Sequence, residues 1–142
     1  MNKLQLLAIL VLAFVLCSVG INKKKQYKDG VFTGESRSKY NHEPYWGQAT
    51  IEIKDDKIIS MTFKIVDKEK NEVFGPDYEQ HYKDIPTYIQ QCRNEVKGIQ
   101  AYSEKYLKTK DIDKVDAISG ATWSYNFFRD AINITLEQAR NK

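Results

Sequence analysis

This chain of 142 residues is poor in cysteine and histidine and has no strong excess of charge of one sign. Of its two cysteines, Cys17 lies in an apolar run and Cys92 in a polar stretch, and no Cys-x-x-Cys pair exists. One thiol in the polar part cannot close an internal disulfide, which excludes a disulfide scaffold and a dithiol redox motif. Cys92 reads as a semi-buried structural thiol rather than a nucleophile. His42 and His81 have no third ligand at a metal-binding spacing, so no metal site is expected. No Ser/His/Asp arrangement is legible either. A glycine fingerprint after a strand is missing, which argues against a dinucleotide site and a free-standing NADH-dependent enzyme. The net charge is +3, and setting aside Lys3, Lys23, Lys24 and Lys25 takes four charges away and leaves about −1. That is no nucleic-acid footprint, which needs a basic face. Internal repeats and low-complexity segments are also absent.

What the chain does have is one long apolar run, LQLLAILVLAFVLCSVGI, at residues 4–21. At about 1.5 Å per residue, a helix of this length just reaches across a hydrocarbon core of about 30 Å. An uncleaved membrane anchor is the expectation. A cleaved secretory signal is the second reading, with Ser18-Val19-Gly20 as a small-x-small site. A lipoprotein signal at Cys17 is the third, although Leu16 before it is bulky. Lys23, Lys24 and Lys25 would then contact lipid headgroups. By the positive-inside rule these lysines favour a cytoplasmic domain. The expected organisation is an anchor or signal segment at 1–22, a basic juxtamembrane linker at 23–28 and one domain at 29–141.

Within that domain, Val31, Phe32 and Thr33 between Gly30 and Gly34 predict a short strand. Residues 39–47 read as a loop broken by Asn41, Pro44 and Gly47. It carries Tyr40, His42, Tyr45 and Trp46. The stretch QATIEIKDDKIISMTFKIV, 48–66, predicts a hairpin turning at Asp55-Asp56-Lys57. Ala49, Ile51 and Ile53 alternate with polar residues, as do Ile59, Met61, Phe63 and Ile65. Period two of this kind marks a half-buried antiparallel pair, and two strands alone are marginal, so the sheet must recruit more. Residues 77–98 are helical in pattern with Pro86 interrupting, which predicts a helix over 86–96 and another over 99–107. Phe127, Phe128, Ala131, Ile132, Leu136 and Ala139 line one face of a final helix. The sequon Asn133-Ile134-Thr135 falls inside that helix and reads as a chance match. The fold class is therefore α+β: an N-terminal transmembrane or signal helix, then a small antiparallel sheet packed with helices.

The stretch DAISGATWSYNFF, 116–128, sets four small residues between a carboxylate and a run of aromatics. Small residues cannot fill a core; they let the backbone bend and let something approach. The stretch leads straight into the final helix, with Thr122 or Ser124 as the expected N-cap. A helix start offers free N–H groups and a partial positive charge, a seat for phosphate. On residue chemistry alone, a plain capped helix and a phosphate site both fit.

The run Asp116-Ala117-Ile118-Ser119-Gly120-Ala121-Thr122 resembles the flavinylation motif of the FMN-binding domain family. That family includes the flavin-carrying C subunit of the sodium-pumping NADH:quinone oxidoreductase, the G subunit of the Rnf complex and small membrane-anchored bacterial proteins. Its opening DGxYxG is similar to Asp29-Gly30-Val31-Phe32-Thr33-Gly34, and its xIxIxDGKI hairpin to residues 51–58, with Asp56 in place of the turn glycine. The resemblance covers about residues 27–139. It implies that Asp116, Ser119, Gly120, Ala121 and Thr122 bind FMN. Thr122 would be the acceptor of a phosphoester bond made by a separate flavin transferase from FAD. Asp116 could orient the threonine hydroxyl or the turn amides. Tyr40, Tyr45, Trp46 and Trp123 are candidates to cover the ring.

The function implied is a protein of the cell membrane, its domain on the extracytoplasmic side, that carries electrons between unidentified redox partners. One rival is a membrane-tethered binding or structural module of the same fold without flavin. A pilin-like subunit is weakened because no charged residue lies inside 4–21 to register such helices.

Overall fold

The computed structural model describes residues 24–39 and 42–141. The run 4–21, expected to be an anchor, and Tyr40 lie outside the described residues. Among the described residues no helix is long and apolar enough to cross a membrane.

The domain is α+β. Four strands, β1 (Gly30–Arg37), β2 (Tyr45–Lys54), β3 (Lys57–Asp67) and β4 (Glu72–Val73), pair antiparallel in the order β1-β2-β3-β4. A 3-10 helix (Pro76–Tyr82) leads to helix α1 (Pro86–Thr109), and a short 3-10 turn (Ile112–Lys114) precedes helix α2 (Thr122–Ala139). Both helices pack on one sheet face. That face is built from Ala49, Ile51 and Ile53 of β2 and Met61, Phe63 and Ile65 of β3, all buried. Alternation places the polar partners of these residues on the open face.

The β2–β3 turn forms without glycine. Asp55 and Asp56 have φ of 51° and 62°, the left-handed pair that matches the twist of a two-residue hairpin and that Asp tolerates. Asp56 has a second role, since its Oδ1 accepts the amide of Tyr27 at 2.7 Å. The strand begins earlier than expected: Tyr45, Trp46 and Gly47 belong to β2, not to a loop. Gly47 is a close-approach residue rather than a breaker, because a Cβ there would stand 2.8 Å from the Phe127 Cβ on α2.

Helix α1 starts with Pro86 in its first turn, as expected, and then runs unbroken for 24 residues through Gly98. The sequence pattern splits it in two at that glycine. The reason Gly98 does not end the helix is tertiary. A Cβ on it would lie 2.4 Å from the Cβ of Ala121, so glycine here lets the turn before α2 press against α1. On α2 the sequon threonine, Thr135, is fully buried, its Oγ1 2.7 Å from the Ala131 carbonyl and 3.1 Å from that of Ala49. The sequon is thus a packing feature.

The two ends of the domain are joined. Tyr27 bridges Arg140, the Lys28 amide donates to the Ala139 carbonyl at 2.8 Å, and the Asn141 side chain donates to the carbonyls of Lys25 and Tyr27, both at 2.8 Å.

Candidate functional site

The turn before α2 is held by tyrosines. The Tyr102 hydroxyl accepts the Ile118 amide at 2.9 Å and donates to the Ala121 carbonyl at 2.8 Å, so one side chain of α1 spans the turn. The Tyr125 hydroxyl donates to the Val115 carbonyl at 2.6 Å. Gly120 has φ of 81°, a backbone region that suits glycine, and a Cβ on it would press on the Asn94 amide group. The four small residues thus have separate reasons. Ser119 and Gly120 are exposed in the bend, Ala121 is buried against Gly98, and Thr122 is exposed on the first residue of α2.

Neither Thr122 nor Ser124 caps the helix. Ala121 occupies the N-cap position and supplies no side-chain bond. The cap comes instead from α1. Buried Glu95 accepts the Ser124 amide at 2.9 Å, and its Oε2 lies 2.5 Å from the Ser124 hydroxyl. The third amide of a helix is the one that an N-cap side chain usually takes, and a carboxylate there also faces the positive end of the helix. Among the described residues the amides of Thr122 and Trp123 find no backbone carbonyl. The Asp116 carboxylate is exposed and makes no hydrogen bond among the described residues. It therefore stands apart from the turn that Tyr102 holds.

Beside this helix start lies a cavity of about 310 Å³, within the size range of small-molecule sites. Tyr45, Phe74, Tyr82, Tyr88 and Trp123 give it aromatic walls, and Glu43 and Glu95 give it two carboxylates. Tyr45 and Trp123 meet edge to face, centroids 5.1 Å apart at 88°. The Trp123 indole donates to Glu43 at 3.2 Å, and Ser38 donates to the same oxygen. Cys92 also lines the cavity; burial pushes its thiol pKa up, which suits a structural role. Trp46 is not part of this wall. It points to the open sheet face under the Lys68 ammonium, 4.0 Å from its centroid.

A hydroxyl chain runs from the cavity into the protein. Tyr78 donates to the buried Asp67 carboxylate at 2.5 Å. Tyr78 has no second proton, so Tyr45, 3.0 Å away, donates to it, and Tyr82, 3.3 Å from Tyr45, donates in turn. Burial raises the Asp67 pKa, but the bonds from Tyr78, the Lys70 amide and the Lys70 ammonium outweigh it and hold the carboxyl at about 2. Burial pushes the hydroxyl pKa values of Tyr45 and Tyr78 upward. His81 pairs with Glu72 at 2.8 Å on the surface. Among the described residues no cluster of three His, Cys, Asp or Glu could hold a metal.

The sequence profile of the FMN-binding domain family matches residues 42–137. The chain belongs to that family. The match runs from the approach to β2 almost to the end of α2 and includes the turn and the cavity. The crystal structure of the CPE2226 protein from Clostridium perfringens has a similar fold, with a TM-score of 0.62 at 20% identity over 80% of this chain and 88% of that one. At that identity the likeness concerns the fold. No curated protein matches the chain. Membership of the FMN-binding domain family supports FMN as ligand, and the residues fit such a group. Two open amides and an exposed hydroxyl suit a phosphate, while an aromatic cavity with two carboxylates suits a planar ring and disfavours phosphate inside.

Apart from Cys92, the buried stripe of α1 that holds the turn was not singled out from sequence. Cys92, Glu95, Ile99, Tyr102 and Tyr106 follow each other at three- and four-residue steps and are all buried. Glu95 is the charged member of that stripe. A carboxylate on an apolar face was the signal available.

Proposed function

We propose that this protein is a membrane-anchored FMN carrier that relays electrons outside the cytoplasm, with FMN joined by a phosphoester to Thr122. One observation carries the reading: Thr122, in the family's Ser-Gly-Ala-Thr turn, presents its side chain to solvent at a helix start beside an aromatic cavity.

The chain's own residues do the positioning. Tyr102 and Glu95 hold the turn and the first helical turn, which keeps the Thr122 hydroxyl outward. A threonine hydroxyl is a weak nucleophile, and the nearest motif carboxylate, Asp116, does not engage the turn, so attachment requires a separate transferase. In that step the Thr122 oxygen–phosphorus bond forms, the pyrophosphate bond of FAD breaks, AMP leaves and the hydroxyl proton is lost. The open amides of Thr122 and Trp123 would take phosphate oxygens, and Tyr45 and Trp123 would flank the ring. When bound, FMN supplies the electron-transfer chemistry. Asp116, Ser119 and Gly120 are exposed and contribute the access that a transferase needs.

The test is the intact mass of the protein produced with and without a flavin transferase. A gain of one FMN less one water, mapped to the peptide holding Thr122, supports the reading. An unchanged mass with no yellow chromophore sinks it and leaves a tethered binding module of the same fold.

A further inference from the structure

The chain leaves its N-terminal segment at the pole opposite Thr122. Residues 25–28 are tied down by five hydrogen bonds: Tyr27 to Asp56, Lys28 to Ala139, and Asn141 to Lys25, Gln26 and Tyr27. No slack linker separates residue 25 from the domain. The 18 residues of α2 then put Thr122 about 25 Å from Ala139, at about 1.5 Å per residue. Helix α1 crosses α2, with Glu95 and Gly98 against Ser124 and Ala121 and Tyr106 against Phe128. Through Tyr106 its last turns come within electrostatic reach of Tyr27, so they lie on the side of the domain where the chain enters.

That pole is basic. Lys24, Lys28, Lys54, Lys57, Lys108 and Lys110 are all exposed there. Its acids are fewer, namely Asp29, Asp55, Asp56, Asp111 and Glu137. Lys25 lies 3.4 Å from Asp29 and 3.7 Å from Asp55, Lys114 3.3 Å from Asp111 and Arg140 3.1 Å from Glu137, while Asp56 accepts the Tyr27 amide. The 23 residues that precede Lys24 include the apolar run, so the chain enters the domain through this basic ring.

We propose that this pole rests on anionic lipid headgroups. The domain then stands with α2 along the membrane normal, Thr122 and the cavity face the aqueous phase, and the partner is a water-soluble or protruding protein rather than a carrier confined to the bilayer. Lysines near an anionic surface are attracted to it within a Debye length. The proposal rests on the anchor reading above but not on flavin.

The experiment uses the full chain in phosphatidylglycerol vesicles, in a Cys17→Ala, Cys92→Ala background. A donor dye is placed at Gln138→Cys or Asn126→Cys, both exposed on α2, with an acceptor on the lipid headgroups. Energy transfer is expected to be at least twofold higher from position 138. Equal transfer, or the reverse order, in protein that floats with the vesicles overturns the proposal while sparing the anchor. Protein that does not float with the vesicles overturns both. The difference should shrink in neutral phosphatidylcholine vesicles and in a variant with Lys54, Lys57, Lys108 and Lys110 changed to Glu. If it persists undiminished in either, the tether alone sets the stance and the headgroup contact is wrong.

Discussion

Glu95 of α1 caps α2: its carboxylate takes the Ser124 amide at 2.9 Å across the helix pair. A residue 29 positions away thus does the work usually done by the residue before a helix, and the Thr122 side chain is left free for other chemistry.

Removing that carboxylate should be costly. Glu95→Ala leaves the buried Ser124 amide unsatisfied, while the Ser124 hydroxyl keeps the Ala121 carbonyl at 3.0 Å, and it is expected to lower stability by about 1–3 kcal/mol. Glu95→Gln keeps an acceptor and should cost about 1 kcal/mol. Urea denaturation of the domain from residue 24 onward checks both, and a loss under 0.5 kcal/mol for the alanine variant would contradict the cap.

Thr122→Ala should separate function from stability. Since Thr122 is exposed and caps nothing, the substitution should change stability by no more than about 0.5 kcal/mol. The same variant should gain no flavin mass in the presence of a transferase. A loss above 1 kcal/mol would restore Thr122 as a cap.

Gly98→Ala tests the contact between α1 and the motif turn. Helix propensity alone would stabilise the variant by about 1 kcal/mol. The 2.4 Å approach to Ala121 should reverse the sign, with a net loss of about 1–3 kcal/mol. Thermal unfolding decides between them. Displacement of the turn should also lower the yield of flavin attachment.

Acid should weaken the hydroxyl chain from Tyr45 through Tyr78 to Asp67 behind the cavity wall. The folded-state pKa of Asp67 is about 2, against 3.8 for the free group. A depressed pKa stabilises the fold above the unfolded value and is lost as pH falls through the folded one. About 2 kcal/mol should therefore disappear, mostly between pH 4 and pH 2. In Asp67→Asn that part of the pH dependence should be missing when urea midpoints are compared across this range. An unchanged slope would show that Asp67 is not held ionised.

Much of this was legible in the residues. The alternation over 48–66 placed the hairpin and its inward face except at Ile59, which a bulge in the β2–β3 register leaves exposed, and Pro86 placed the start of α1, because strand period and proline geometry are local properties. The spacing of Phe127 through Ala139 placed α2 and its buried side. The motif marked the turn and Thr122. Family membership followed from residues that stand close together in the chain.

Other features had no local cause. Gly47 read as a breaker and Gly98 fell between two expected helices, yet each is required by a backbone or side chain far away in sequence. Thr122 and Ser124 both had the chemistry of a cap, and only packing decided that Glu95 takes the role. Of the aromatics near the motif, Tyr45 and Trp123 meet and Trp46 turns away, because one residue of strand shift reverses the face. The sequence by itself determined the elements and the chemistry available at the helix start, since both follow from short-range geometry. The tertiary structure alone decided which side chain caps that helix, which rings wall the cavity and how far Thr122 stands from the chain's entry point, since these depend on how α1, α2 and the sheet close on one another.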